Sequence, residues 1–225
     1  MAKKALVVWG GWEGHQPQQV GAVLAKALQE NAFEVELANT LDAFNDGGKL
    51  KQLNLIVPCW TMGKIGGEQC KNVCEAVKEG VGLGGCHGGM CDAFRENTEW
   101  QFLTGGQFVA HPGGAVTYKV HLKGKHWITQ GMKDFQVTSE QYCMHVDPAN
   151  KVLATTEFPV ADGPHVPNGK LQMPVTWTRL WGKGRVAYCS LGHDAKSFEQ
   201  PETLRMCLRC LLWAAHADED PGSRV

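Results

Sequence analysis

The N-terminal third of the chain repeats one pattern: an apolar run of strand length, a loop, then an amphipathic helix. KALVVW, residues 4–9, is followed by the glycine-rich loop from Gly10 to His15. Pro17 opens a helix over 17–30 that carries Val20, Leu24 and Leu28 on one stripe. FEVELA (33–38) and LNLIVPCW (53–60) read as further strands. A helix over 67–80, closed by Gly80, leads to the short strand VGLGG at 81–85. Apolar strands alternating with helices predict a parallel sheet with helices on both faces, since a parallel neighbour is reached only by a crossover. In such sheets ligands bind beyond the carboxyl ends of the strands. Three loops meet that condition, and they carry His15, Trp60 and the pair Cys86–His87.

From about residue 105 the pattern changes to short β-like runs separated by turn residues: GQFVAH, AVTYKV, FQVTSEQY, KVLATTEF, PVTWTRLW and GRVAYCSLG. The Pro/Gly-rich stretch 160–170 reads as a loop able to lie over a site. A last helix over 200–216 follows. With no linker and no internal repeat, the expectation is one domain over 1–216 and a flexible C-terminal tail over 217–225. A net charge of −1 without a basic block argues against nucleic acid or an anionic membrane as partner. No apolar run has the length of a membrane span, and the N-terminus reads as a first strand rather than a signal peptide, so a cytoplasmic location is expected. Nine cysteines without framework spacing fit reduced thiols; Cys207–Cys210 and Cys70–Cys74 fall on helices and read as core. Proteins of this class commonly assemble as homo-oligomers.

The stretch GLGGCHGGM, 82–90, predicts a sharp strand-to-helix turn with one side chain at its apex and small residues two positions to either side. Two registers satisfy it. Cys86 at the apex is flanked by Gly84 and Gly88; His87 at the apex is flanked by Gly85 and Gly89. An exposed Cys86 near a helix N-terminus would be a nucleophile with His193 as its base. An exposed His87 would be a general base, a metal ligand or a binding group. The glycines allow both.

The same residues carry a resemblance. GLGGCHGGMCDAFRENTEWQFLTGGQFVAHPGG resembles the ThuA-like (trehalose utilisation) family, as do VVWGGWEGH, VPCWTMGKI, SEQYCMHVDP, VLATTEF and VTWTRLWGKGRVAYCSLGH. The resemblance spans residues 4–213, with its blocks in the family's order. It implies an α/β three-layer sandwich, flavodoxin-like and related to class I glutamine amidotransferases, with a mostly parallel sheet and additional strands in the second half. It also implies a role in the use of trehalose, a related disaccharide or a disaccharide oxidised to a 3-keto form. In the family's Gly-x-His pattern histidine stands where the amidotransferases have their nucleophile. That maps to Gly85-Cys86-His87, making His87 the exposed apex and Cys86 a buried thiol.

Carried over residue by residue, the resemblance implies His87, Glu140 and His193 as catalytic groups and His15, Trp60, His111, Tyr142 and His145 as substrate-binding groups. The expected activity is His/Glu acid–base chemistry on a sugar in a cleft at the C-terminal edge of the sheet. His15, His87, His193 and Glu140 are also an acceptable ligand set for a divalent metal such as zinc, although no H-x-H or H-E-x-x-H spacing anchors one. The rival readings are a Cys86-dependent hydrolase or amidotransferase-like enzyme and a sugar-binding or regulatory module without catalysis.

Overall fold

The computed structural model describes residues 2–219. In chain order its elements begin β1 (Lys3–Gly11), α1 (Pro17–Glu30), β2 (Phe33–Ala38), α2 (Gly47–Leu50), β3 (Leu55–Thr61), α3 (Gly67–Glu79), β4 (Gly82–Cys86) and α4 (His87–Cys91). There follow α5 (Thr98–Thr104), β5 (Gly106–Ala110), β6 (Ala115–Leu122), β7 (Phe135–Glu140), β8 (Cys143–Val146), β9 (Lys151–Phe158), β10 (Leu171–Trp181), β11 (Gly184–Cys189) and α6 (Pro201–Ala214). Nine strands form one sheet in the order β2-β1-β3-β4-β11-β10-β9-β6-β7, and β5 pairs with β8 in a separate ribbon. The first five strands of that order run parallel. From β11 onward the pairings are antiparallel.

The apolar runs face two cores at once. Ala5 and Val7 of β1 pack with Val20, Leu24 and Leu28 of α1 and Met206 and Leu211 of α6. Leu6 and Val8 face the opposite layer, with Val73 and Val77 of α3 and Trp100 of α5. β11 divides likewise: Ala187 and Cys189 on one side, Val186 and Tyr188 on the other. This is the three-layer α/β architecture the sequence predicts, and the uniform hydrophobicity of these strands is the period-2 pattern of two buried faces superposed.

The glycines of β4 serve packing before they serve the turn. A Cβ on Gly82 would lie 2.3 Å from the Ala214 carbonyl oxygen, and one on Gly84 would lie 2.9 Å from Leu211 Cδ2. α6 therefore rests directly on the β4 backbone. The strand runs predicted beyond residue 105 all form, whereas α5 and β8 do not stand out in the sequence because each is short and only partly apolar.

The β6–β7 hairpin departs from the sheet. β6 pairs with β9 only at His121 and Leu122, while Ala115–Val120 pair with β7. The hairpin's outer half is thus free of the main sheet, and Glu140, at the end of β7, is free to reach groups on distant strands. The expected tail is corrected at its start. Ala217 is buried and Asp218 pairs with Arg185 of β11 at 2.7 Å, so the chain is held to the fold at residues 217 and 218; residues 220–225 lie outside the described residues. Among the described residues no helix is long and apolar enough to cross a membrane.

Candidate functional site

Three parallel strands end at one place, and each ends in a residue with left-handed backbone nearby. After β1 a short turn carries His15, with Gln16 at φ 48°. β3 ends in Thr61, followed by Met62 at φ 60°. β4 ends in Cys86, and His87 itself adopts φ 47°. For a non-glycine residue such a conformation costs about 1–3 kcal/mol and persists where the surroundings fix it. At His87 they do. The Tyr188 hydroxyl donates to the His87 carbonyl at 3.0 Å, and the imidazole stacks on Tyr142 with centroids 4.0 Å apart. Nδ1 lies 2.8 Å from the carbonyl oxygen of Ser190, which only accepts, so this nitrogen carries the proton.

The turn has the predicted register but a different exposure. His87 is 1 % exposed, not an open tip; Tyr142 covers its face and His15 and His193 close around it. Cys86 is buried as well, on the α6 side of the sheet, where it lines the small cavity beneath the imidazoles rather than standing at the apex. Gly85 and Gly89 flank the apex in tight contact: added Cβ atoms would lie 2.8 Å from Met90 Cβ and 3.0 Å from Cys59 Cα.

The ring that fills the centre of the site meets a carboxylate. His87 Nε2 lies 3.1 Å from Glu140 Oε2. His193 Nδ1, from the loop after β11, lies 3.3 Å from the same oxygen and 3.2 Å from His87 Nε2. His15 Nε2 lies 3.7 Å from that oxygen, with its Nδ1 held by Thr61 Oγ1 at 2.8 Å. The four side chains offer ligand atoms all within 4.8 Å of one another. On the core side of the imidazoles a cavity of about 10 Å³ has room for no more than about one water or ion.

The electrostatics of this arrangement are unbalanced. Burial pushes the His87 imidazolium down to about 4, against the opposing pull of Glu140, so the ring is neutral near pH 7. Burial would raise the Glu140 carboxyl, but the imidazoles of His15, His193 and His87 gathered around it outweigh that and hold the group well below the usual carboxylate range. With its proton on Nδ1, neutral His87 therefore aims a lone pair at an ionised oxygen. Glu140's hydrogen bond holds His193 above its ordinary value, against burial, and the His193 proton serves one such contact but not all. A cation between the atoms would resolve the conflict. Ligands about 2.0–2.1 Å from a tetrahedral centre sit about 3.3 Å from one another, close to the 3.1–3.3 Å spacings among His87, His193 and Glu140. Thr61 and Ser190, partners of the Nδ1 atoms of His15 and His87, would orient these two imidazoles as second-layer groups do around metals.

Of the remaining expected residues, Tyr142 stacks on His87 and His111 stands at the rim, with Nε2 3.6 Å from Glu140 Oε1. Two expectations are corrected. Trp60 is only partly buried but belongs to the α3-side core, its ring over Gly10 and Gly63, because strand alternation turns it away from the face that Thr61 presents. His145 is exposed on the β5–β8 ribbon, opposite Gln107, and joins no part of the cluster. Thr61, Ser190 and Tyr188 are not legible as site residues in the sequence; each acts through one hydrogen bond and carries no signal in spacing.

A family model, ThuA, described as trehalose utilisation, matches residues 4–214. A ThuA-like protein from Parabacteroides merdae superposes with a TM-score of 0.74 at 18% identity, over 96% of this chain and 91% of that one. A ThuA-like protein from Bacteroides uniformis gives 0.73 at 18% identity, over 94% and 91%. The β-galactosidase of Bacillus circulans sp. alkalophilus contains a similar region, with a TM-score of 0.62 at 15% identity over 97% of this chain and 31% of the galactosidase. At such identities these likenesses concern the fold. No curated protein matches the chain.

Proposed function

This chain belongs to the ThuA family, and on that premise we propose that it is an enzyme acting on a disaccharide or oxidised sugar derivative at a divalent-cation centre held by His15, His87, His193 and Glu140. The observation that carries the reading is the convergence of three imidazole nitrogens on one carboxylate oxygen, with the His87 lone pair aimed at it. Three nitrogens and one oxygen suit Zn²⁺ or a similar borderline ion. Bound there, such an ion supplies a Lewis acid for a carbonyl or hydroxyl oxygen.

The chain's own groups have separate tasks. His87 is held neutral, with its lone pair inward, by burial and by Ser190. Glu140 stays ionised and binds through Oε2, leaving Oε1 toward the mouth. His111, half exposed and 3.6 Å from Oε1, is the imidazole open to the mouth and the group positioned to exchange a proton with bound sugar. His15 and His193 close the ring. The closed setting of Cys86 favours this reading over a thiol hydrolase.

The test has two parts. Elemental analysis and titration of chelator-stripped protein with ZnCl₂ should give one ion per chain, lost in Glu140→Gln and His87→Gln. Chromatography of trehalose, lactose and their 3-keto derivatives after incubation should show conversion that the chelator abolishes. Conversion that persists in metal-free protein would replace the cation centre with plain His/Glu acid–base catalysis. Zinc bound without any sugar conversion would end the sugar reading.

A further inference from the structure

All eight tryptophans lie within the described residues, and seven are buried or partly buried. Trp12 is the exception, 46 % exposed, and it stands against the cluster: its ring meets the ring of His15 edge-on, with centroids 4.7 Å apart at 74°. Resting on the reading that the site takes sugars, we propose that Trp12 is the platform on which a pyranose ring lies in the mouth of the site.

The loop is built to hold that indole in place. The backbone N–H of Trp12 donates to the Thr61 carbonyl at 3.0 Å, and the Trp12 carbonyl accepts from the backbone N–H of His15 at 3.4 Å. Gly14 passes beneath the ring so closely that a Cβ there would lie 2.3 Å from Cζ2. Gly11, at φ 79°, brings the chain against Thr61, where a Cβ would lie 2.1 Å from the carbonyl oxygen. Both glycines of the Gly-Trp-Glu-Gly-His loop thus fit the position of the tryptophan. Its exposed surface borders a buried polar cluster, an apolar wall beside groups that handle hydroxyls.

Through His15, the indole neighbours the polar part of the site. His111 Nε2 faces Glu140 Oε1, and Phe108 stacks behind His111 at 5.7 Å. A sugar ring with one continuous C–H face, laid on Trp12, covers the indole with that face and leaves its hydroxyl edge for Glu140 and His111. The substrate class is therefore a pyranoside rather than an open-chain polyol or a furanoside, because only the six-membered chair presents a flat apolar face of indole size. Trp60 has no such role, since its ring already covers Gly10 and Gly63.

Dissociation constants for trehalose and lactose, measured by saturation-transfer NMR on the whole chain, test the assignment. Trp12→Ala should weaken both by about 10-fold or more, while Trp12→Phe, which keeps an aromatic face, stays within about 3-fold of the parent. Thermal midpoint and Zn²⁺ stoichiometry should not change in either variant. Sugar binding unaltered in Trp12→Ala overturns the platform and leaves the sugar reading standing. Equal loss in both variants, together with loss of zinc, makes Trp12 a mere support for His15 and also overturns it. No sugar binding by the parent chain removes the sugar reading itself, and the platform with it.

Discussion

His87 combines backbone strain with a buried, neutral imidazole, and the two can be separated. At φ 47° asparagine is tolerated better than glutamine, since its short side chain suits left-handed backbone. His87→Asn should therefore unfold about 2–4 °C above His87→Gln, as expected for about 1 kcal/mol in a chain of this size. Both should lose Zn²⁺ binding in calorimetric titration. The cluster also fixes how metal-free protein responds to pH. His87 is depressed to about 4 when folded, so its contribution is complete above its unfolded value near 6.5 and is lost as pH falls from there toward 4. Glu140 is depressed too, and its share is present above about 4.5 and lost on further acidification. His193 is raised, so its share is present below about 6.5 and lost as pH rises through its folded value. The thermal midpoint of chelated protein should thus pass through a maximum near neutrality. Glu140→Gln should flatten the alkaline limb, because it removes the group that raises His193.

At the level of secondary structure, the β4–α4 turn couples packing to chemistry through glycine. A Cβ on Gly88 would lie 2.6 Å from His15 Cε1 and Nδ1 and 3.0 Å from Thr61 Oγ1. Gly88→Ala should keep the fold and the circular dichroism spectrum but rotate His15 off Thr61, weakening Zn²⁺ by about 10-fold or more, as changes in second-layer partners do. Gly82→Ala meets backbone instead, the Ala214 carbonyl, and should destabilise the chain by about 1–3 kcal/mol in urea denaturation while leaving zinc affinity in the folded protein unchanged. The sequence pattern exposes these elements unevenly. The helix over Pro17–Glu30 and the strand over Phe33–Ala38 are legible to the residue because proline, stripe and alternation mark them. The burial of His87 is not legible: glycine flanks report how close the backbones come, not what covers the apex, and here the cover is Tyr142 from beyond β7.

In the molecule as a whole, the centre ties distant parts of the chain together. His15, His87, Glu140 and His193 come from four separate loops or strand ends on both halves of the sheet. An ion that binds them only in the folded state must stabilise the fold by mass action. ZnCl₂ at about a hundred times its dissociation constant should raise the thermal midpoint by about 5–10 °C. A chelator should reverse the shift, and Glu140→Gln should show none; an unchanged midpoint in the parent chain would argue that these side chains hold no ion.

Sequence pattern alone sets the parallel half of the sheet, the strand ends where His15 and His87 stand, and the tight turn between Gly85 and Gly89, because period, helix stripe and close backbone approach are local properties written in neighbouring residues. The ring of histidines around one oxygen arises only in three dimensions. Glu140 reaches it because Ala115–Val120 of β6 leave β9 and carry β7 away from the main sheet, and pairing across such separations has no local signature. The same holds for the choice between tryptophans. Trp12 and Trp60 both follow apolar runs, but loop closure over Gly14 leaves one exposed beside His15, and strand alternation turns the other toward the α3-side core.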